Sequence, residues 1–504
     1  MLFQAFAHWT SGAITEPQGI VAIRNTFLMS LASVLTAGTV GTGLALLLTR
    51  YAFPGSRVLA VLAYLPFTLP PLVGVLGFYY IIGRDGLIPR FLETKLGLES
   101  AEPSGWWAIL LIHTYSFYVF FYAMAGPALA ALDRSQVEAA RTLGAGPFRA
   151  FRKVTVPLLR PALLGASLLT FMSSGASFSA PYFFGRDFPM LSVRVFEETS
   201  QYNLDEALTL TVVLAAVSLV GVILFRGRRK ALGGASKGAP SPVRSRAGRV
   251  LAGGAAWLFI LCLLLPHLTI LWLSLVDHRA WQTELIPTAM TLRNYLGLLH
   301  DPGAIAPIRN SLWMSGVATI MTVVLALPAA YLIARHRPGG RWVNLLVMIP
   351  WALPGTVIAM NLIVSFNDRW LPLYNTVWIL PLAYFVRSIP LLTRMAGAAI
   401  EPFDASLIEA GRTLGASPAY CFRRVVAPLI APAVVAGMAL VFATSLGEFV
   451  ASILLYTPGN IPIAVKINME WRTALGPAFA YSVLLMALVG LTFVLSRRFT
   501  ARIM

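Results

Sequence analysis

The sequence predicts an all-α integral membrane protein with about 11 transmembrane helices in two parallel-repeat halves. Three observations lead to this prediction: an apolar composition, recurring hydrophobic runs of membrane-spanning length, and a 29-residue segment that occurs twice. Hydrophobic residues fill 57% of the 504 positions, charged residues fill 12%, and the mean hydropathy is +0.73. A soluble domain carries about twice that charged fraction, so the composition indicates a lipid-embedded chain.

Eleven hydrophobic runs are long enough to cross a bilayer core, for which about 20 residues suffice. The runs are continuous rather than alternating, which favours helices over a barrel. The predicted spans are 25–49, 58–82, 106–130, 158–182, 206–225, 250–275, 311–334, 342–366, 375–397, 428–455 and 477–496.

Three regions follow from these spans. Residues 1–225 form a first half with about five spans, and residues 250–504 form a second half with about six. Residues 226–249 join the halves and are rich in Gly, Ser, Pro and Arg, which is typical of a flexible linker.

The net charge of +18 is distributed unevenly between the two sides of the membrane. The loops predicted on one side hold 26 Lys and Arg against 5 Asp and Glu, whereas the other side holds 12 against 15. The basic side is cytoplasmic by the positive-inside rule, so the C-terminus is predicted to be cytoplasmic. The basic excess reflects topology, and no nucleic-acid partner is expected. The cytoplasmic loops are 50–57, 133–160, 226–249, 335–341, 394–424 and 497–502.

A polar loop of the first half is repeated in the second half. Residues 133–161 read DRSQVEAARTLGAGPFRAFRKVTVPLLRP, and residues 404–432 read DASLIEAGRTLGASPAYCFRRVVAPLIAP, an offset of 271 without a gap. Six predicted spans separate equivalent points, and an even number keeps both copies in the same orientation. The repeat is therefore parallel, with its pseudo-twofold axis along the membrane normal.

Each repeated loop is predicted to be a short amphipathic helix, a break, and a second helix that enters the membrane. Ser135-x-x-Glu138 and Ser406-x-x-Glu409 have the spacing of capping boxes. Gly144 and Gly415 suit the left-handed position that ends a helix. Such helices can dock in a groove of a soluble partner, or they can lie on the lipid surface; spacing alone leaves both possibilities open.

The pattern Glu-Ala-Ala/Gly, three residues, then Gly, and a later Pro-Leu resembles the cytoplasmic signature loop, the EAA motif, of bacterial ABC-importer permeases. It stands here as Glu138-Ala139-Ala140-x-x-x-Gly144 and as Glu409-Ala410-Gly411-x-x-x-Gly415. The resemblance covers nearly the whole chain and is to the fused two-domain permeases of ferric-iron, thiamine, polyamine and phosphonate importers. It implies the ABC-importer permease (MetI-like) fold.

The resemblance also implies that both loops are coupling helices seated on two copies of an ABC ATP-binding subunit. On that basis the interface residues are Asp133, Glu138, Ala139, Ala140 and Gly144 in the first loop, with Asp404, Glu409, Ala410, Gly411 and Gly415 in the second. Family members of this type have six spans per half, so the opening MLFQAFAHW is expected to be the end of a first span.

The expected function is the translocation pathway of an ABC importer in the bacterial cytoplasmic (inner) membrane. An extracytoplasmic solute-binding protein would deliver a small hydrophilic solute, with ferric iron expected first and thiamine, polyamine or phosphonate as alternatives. No G-x-x-x-x-G-K-[ST] loop occurs in the sequence, so ATP and Mg are expected on the partner subunit and no cofactor on this chain. The chain is accordingly expected to be a transport subunit rather than an enzyme.

Two charged residues fall inside the predicted spans. Arg387 and Glu448 each cost about 2.5–3.5 kcal/mol near a helix centre, so they should face protein or water. They are candidates for the transport pathway, or else a structural ion pair. Their equivalents Ser116 and Ser177 are uncharged, and Ser174 and Ser177 are further pathway candidates from a span rich in small hydroxylated residues, which equally permit close helix packing.

Two other classes of protein agree less well with the sequence than an ABC permease does. A secondary transporter driven by an ion gradient would be expected to carry several intramembrane carboxylates or an inverted repeat, and the sequence has one carboxylate and a parallel repeat. A membrane-embedded enzyme would need a catalytic constellation, and neither a nucleophile elbow nor a zinc-protease helix occurs. No His, Cys or carboxylate spacing predicts a metal site, and His113 is interpreted as a packing or hydrogen-bonded residue.

Overall fold

The structure of the chain is a computed structural model. It describes residues 12–503 apart from 85, 99–104, 133, 226–240, 243–244, 278–279, 282–283, 368–370, 403–405 and 414. The opening MLFQAFAHW, predicted to be the end of a first span, lies outside the described residues, as does most of the predicted linker.

Helices dominate the described part of the chain up to residue 225. They are α1 Gly12–Thr15, α2 Pro17–Arg50, α3 Ser56–Leu62, α4 Pro71–Ile82, α5 Leu87–Leu96, α6 Trp106–Ala130, α7 Arg134–Thr142, α8 Pro147–Ala150, α9 Val156–Gly175, α10 Ser179–Phe184, α11 Leu191–Ser200 and α12 Leu204–Leu224. A 3-10 turn covers Leu65–Thr68, and a π-helical turn covers Phe151–Thr155.

The second part of the chain has the same character. Its helices are α13 Arg246–Ser274, α14 Arg293–His300, α15 Pro302–Ala334, α16 Gly340–Ala352, α17 Gly355–Phe366, α18 Ile379–Ile400, α19 Ser406–Thr413, α20 Pro418–Cys421, α21 Ala427–Leu446, α22 Val450–Leu455, α23 Ile463–Glu470 and α24 Leu475–Ile503. A π-helical turn covers Phe422–Val426, and two short strands, β1 Tyr51–Ala52 and β2 Ser241–Pro242, pair in parallel.

The predicted all-α membrane fold is confirmed. Among the described residues, ten helical segments are long and apolar enough to cross a membrane, or eleven if the bent pair α16 and α17 is one span. The chain is an integral membrane protein, and the ten or eleven candidate spans of its described part agree with the prediction of about 11, although two of the predicted spans have a different internal structure.

The spans predicted at 58–82 and 342–366 are not continuous helices. In the first, the apolar helix Ser56–Thr68 is short and the segment of spanning length is Pro71–Leu96. In the second, α16 and α17 meet at an angle of 111°.

Proline is the physical reason for both breaks. Pro70 and Pro354 stand at the two breaks, where they remove an N–H donor and exclude helical backbone from the preceding residue. Leu69 and Leu353 are accordingly extended, with ψ of 113° and 133°. The hydropathy pattern does not register such a break, because the residues on both sides of it are apolar.

The predicted spans 158–182 and 428–455 also end earlier than expected. Helix α9 ends at Gly175 and α21 at Leu446, and in each case a short helix follows after three residues. The apolar residues beyond these ends therefore belong to separate short helices, α10 and α22.

By contacts, the chain divides into two compact units. The N-terminal unit contains the described residues up to Leu69 together with Gly74–Thr269, and the C-terminal unit contains Pro70–Val73 together with the described residues from Ile270 on. The boundaries of these units differ from those of the predicted halves, 1–225 and 250–504. The halves were defined by the sequence repeat rather than by contacts, so they stay a prediction.

The core of the N-terminal unit includes a helix that the repeat assigns to the second half. Residues Ile260 and Leu263 of α13 pack in one apolar cluster with Val34 of α2 and Tyr118 of α6. The hydroxyl of Tyr115 donates a hydrogen bond of 3.0 Å to the carbonyl of Leu263. Helix α13 up to Thr269 is thus held by apolar burial in the N-terminal unit.

The C-terminal unit is built around α15, α18, α21 and α24. Small residues allow its helices to approach closely: a Cβ on Gly437 of α21 would lie 2.4 Å from the Leu392 side chain of α18. Ala330, Ala396 and Ile430 lie in one apolar cluster at this packing.

Equivalent positions of the repeat make equivalent hydrogen bonds in the two units. The side-chain amide of Asn25 donates to the carbonyl of Pro189 at 3.1 Å, and that of Asn310 donates to the carbonyl of Ile461 at 3.2 Å. The next residue repeats the pattern: the hydroxyl of Thr26 accepts the backbone N–H of Leu191 at 2.9 Å, and the hydroxyl of Ser311 accepts that of Ile463 at 2.8 Å. Each unit therefore uses the same polar contacts to fix the chain that follows its short helix α10 or α22.

Candidate functional site

The first repeated loop is a short helix with an exposed polar face. Glu138 and Ala139 of α7 are exposed, and Ala140 is half-buried. The helix covers Arg134–Thr142 with Ser135 in its first turn, and the capping box stays a prediction. Asp133 lies outside the described residues.

The second repeated loop has the same form. Helix α19 begins at Ser406, so this serine too lies in the first turn, and Glu409 is exposed. Ala410 and Gly411 lie within the helix. Asp404 lies outside the described residues.

The left-handed conformation predicted for the two loop glycines is confirmed. Gly144 has φ of +81° and Gly415 has φ of +82°. The N–H of each glycine donates to the carbonyl three residues earlier, at 3.0 Å, and the N–H of Ala145 donates to the carbonyl of Ala140. In the first loop these two bonds form the Schellman motif, which satisfies carbonyls left free at a helix end, and the second loop shows the bond of its glycine. Both helices therefore stop at a fixed point on a sharply turned backbone.

A π-helical turn follows each of these breaks, at matched positions. Phe151–Thr155 and Phe422–Val426 are offset by the same 271 residues as the repeat. Turns of this kind are frequently found at functional sites. They carry exposed basic pairs, Arg152 with Lys153 and Arg423 with Arg424.

Three apolar residues on these loops were missed by the sequence analysis. Leu143 is 88% exposed, Phe148 is 74% exposed, and Tyr420 is 58% exposed. The sequence could have indicated them, because each is a large apolar residue within a segment predicted to be a polar loop. Large apolar side chains exposed beside a polar helix mark a binding surface for a protein or a membrane.

The two charged residues predicted inside the spans form an ion pair. Arg387 of α18 places Nη1 3.1 Å from Oε2 and 3.2 Å from Oε1 of Glu448, which lies between α21 and α22. The carboxylate also accepts the backbone N–H of Ala451 at 2.9 Å. The Glu448 side chain is 7% exposed, whereas that of Arg387 is 43% exposed.

The pair is packed against the bend between α16 and α17. A Cβ on Gly355 would lie 2.3 Å from Arg387 Nη1, so a side chain at the start of α17 would displace the guanidinium from its present position. The arginine thus links two helix breaks of the C-terminal unit, one at Leu353–Pro354 and one at Gly447–Phe449.

The two predicted pathway serines lie in the N-terminal unit and have other contacts. The hydroxyl of Ser174 is buried and lies 3.0 Å from Ser33 Oγ and 3.0 Å from His113 Nδ1. The backbone carbonyl of half-buried Ser177 accepts a hydrogen bond from Ser192. For Ser174, this network corresponds to the packing role that the sequence left open.

A family profile matches the chain in two segments. The family is described as "Binding-protein-dependent transport system inner membrane component", and it matches residues 37–233 and 322–504.

Curated relatives are permeases as well. A probable ABC transporter permease protein of Sinorhizobium fredii is 30% identical over 461 residues, covering 88% of this chain and 81% of the relative. The ferric transport system permease protein of Actinobacillus pleuropneumoniae is 27% identical over 487 residues, or 93% of this chain and 69% of the relative. A putative 2-aminoethylphosphonate transport system permease protein of Salmonella choleraesuis is 27% identical over 251 residues, covering 49% of this chain and 93% of the relative.

Proposed function

Because this chain belongs to the family of binding-protein-dependent transport system inner membrane components, which includes ABC transporter permeases, we propose that it forms the whole translocation pathway of an importer. The cargo is a small hydrophilic solute brought by an extracytoplasmic binding protein. Ferric iron is the first expectation, supported by the names of relatives that match most of this chain, and thiamine, polyamine or phosphonate are the alternatives.

One observation supports coupling to ATP hydrolysis above all others. Helices α7 and α19 are exposed, occupy matched positions, and end at left-handed glycines. Exposed Leu143 and Phe148 stand beside α7, and apolar anchors of this kind favour seating in a protein groove. Each loop would therefore occupy a cleft of one ATP-binding subunit, which gives two copies of that subunit per permease.

The proposed transport cycle is alternating access. Closure of the ATP-binding pair would pull on both loops and rock the permease between outward-open and inward-open states. ATP and Mg would be held by the partner subunits, and this chain would supply the pathway and the two docking loops.

The two loops are expected to face the cytoplasm. Cysteine at Thr142 or Thr413, matched exposed positions at the ends of α7 and α19, should react with a permeant maleimide and not with an impermeant one added outside intact cells. The native cysteines Cys262 and Cys421 would first be replaced by serine. Labelling of either position from outside would invert the proposed topology, including the cytoplasmic C-terminus.

The purified permease alone is expected to release no phosphate from ATP, because its sequence has no phosphate-cradling loop. Addition of the ATP-binding subunit should restore hydrolysis in a phosphate-release assay. A preparation free of contaminating ATPases that hydrolyses ATP without the partner would contradict the proposed division of labour.

A further inference from the structure

Arg387 is a charged residue inside the apolar helix α18 of the C-terminal unit. At a rise of 1.5 Å per residue, it lies roughly 12 Å below the start of α18, which the predicted topology places on the outer side. A charged side chain inside a membrane-spanning segment is costly, and such residues almost always face the protein interior or a water-filled cavity. The equivalents Ser116 and Ser177 show that a half of this chain is built without the ion pair.

The two members of the pair differ in what they can still bind. Glu448 is almost fully buried, and its carboxylate accepts hydrogen bonds from Arg387 and from the N–H of Ala451. The ion pair uses Nη1 of Arg387, and within the described part of the chain the structure gives its Nε and Nη2 no partner. Since the arginine side chain is 43% exposed, the pair has free donors and few free acceptors.

The carboxylate and the bend fix the arginine in place. Glu448 holds Nη1, which lies 2.3 Å from the position that a Cβ at residue 355 would occupy, so the guanidinium is placed at the bend between α16 and α17. A guanidinium anchored by one nitrogen presents its remaining edge in a planar fork, which matches the two oxygens of a carboxylate, phosphate or phosphonate.

We propose that Arg387 is a binding contact for an oxyanion group of the transported solute. This inference rests on the proposed role of the chain as a transport pathway, and it narrows the cargo to solutes that carry a carboxylate, phosphate or phosphonate. A metal cargo would then pass as a complex that bears an oxyanion, since the carboxylate of Glu448 is already occupied. Polyamines, which are cations without an oxyanion, fall outside this class.

The test measures binding by the full-length permease alone, in a phosphate-free maltoside detergent. The probes are methylphosphonate and inorganic phosphate, followed by broadening of their ³¹P resonances. The wild-type chain should broaden both signals. Arg387→Lys should weaken binding about tenfold or more, because ammonium keeps the charge and loses the fork. Arg387→Gln should abolish binding.

Two further variants separate recognition from folding. The double variant Arg387→Gln, Glu448→Gln leaves no buried charge without a counter-ion, and it should also fail to bind either probe. Arg394→Gln removes an exposed arginine two turns along the same helix and should bind like the wild type. A phospholipid headgroup is the other source of the same chemistry, so phosphatidylglycerol is titrated against each probe.

Weak displacement by phosphatidylglycerol, together with loss of binding in both Arg387→Gln variants, would support the solute site. The proposal is overturned if the wild type broadens neither probe, if the double variant binds like the wild type, or if one equivalent of phosphatidylglycerol displaces the probes. Such a failure leaves the importer function intact, because docking of the ATP-binding subunit is measured separately by pull-down.

Discussion

A double variant with valine at Gly144 and Gly415 is expected to insert into the membrane normally and to lose solute-stimulated ATP hydrolysis in the assembled complex. Both glycines have φ near +80°, where a β-branched residue is strained by about 1–3 kcal/mol. That strain is large enough to displace a short docking helix and too small to unfold a protein with ten or eleven spans. Membrane yield, recovery of the ATP-binding subunit in a pull-down, and ATP hydrolysis would be measured together.

Two controls make the result specific to backbone conformation. Asparagine at both positions should retain most of the coupling, because Asn tolerates the left-handed region. Valine at Gly146 adds the same side chain to the same loop, at a glycine with open space around it and no positive φ, and should be well tolerated. If the Gly144→Val, Gly415→Val protein still binds its ATPase and couples at the wild-type rate, the loops are lipid-surface helices instead.

Arg387→Gln is expected to destabilise the protein far more than Glu448→Gln. Removing the arginine leaves a carboxylate that is 7% exposed without its counter-ion, and breaking a buried pair in this way costs about 3 kcal/mol. Removing the carboxylate leaves a guanidinium that is 43% exposed, and glutamine can still accept the N–H of Ala451, so the cost should be about 1 kcal/mol. Thermal unfolding in detergent would measure both variants.

The double variant Arg387→Gln with Glu448→Gln should recover part of the stability lost in Arg387→Gln. Transport by Glu448→Gln should nevertheless fall more than its stability, because the arginine is no longer held at the bend between α16 and α17. Equal losses of stability in Arg387→Gln and Glu448→Gln would show that the different burial of the two side chains does not determine the cost of removing each charge. Unchanged uptake by Glu448→Gln at matched expression would reduce the pair to a structural role.

Local signals in the sequence were sufficient for much of the architecture. Hydrophobic runs of about 20 residues identify spans because a bilayer imposes a fixed length on any helix that crosses it. The conformation of the two loop glycines could also be predicted, because a Gly that follows a short amphipathic helix commonly adopts the left-handed conformation at its end. Their φ angles of +81° and +82° confirm this. The prolines at 70 and 354 were also visible, yet an apolar run continues through each of them, so the breaks were not predicted.

By itself, the sequence determined the class of the protein, its approximate spans and the two repeated loops, because composition, periodicity and turn residues act over short stretches of chain. Only the tertiary structure decided that Arg387 and Glu448, 61 residues apart, meet at 3.1 Å, and that one is buried while the other is exposed. It also decided that α13 packs up to Thr269 in the N-terminal unit. These features depend on which surfaces come together when distant segments pack, and no local pattern of residues encodes that choice.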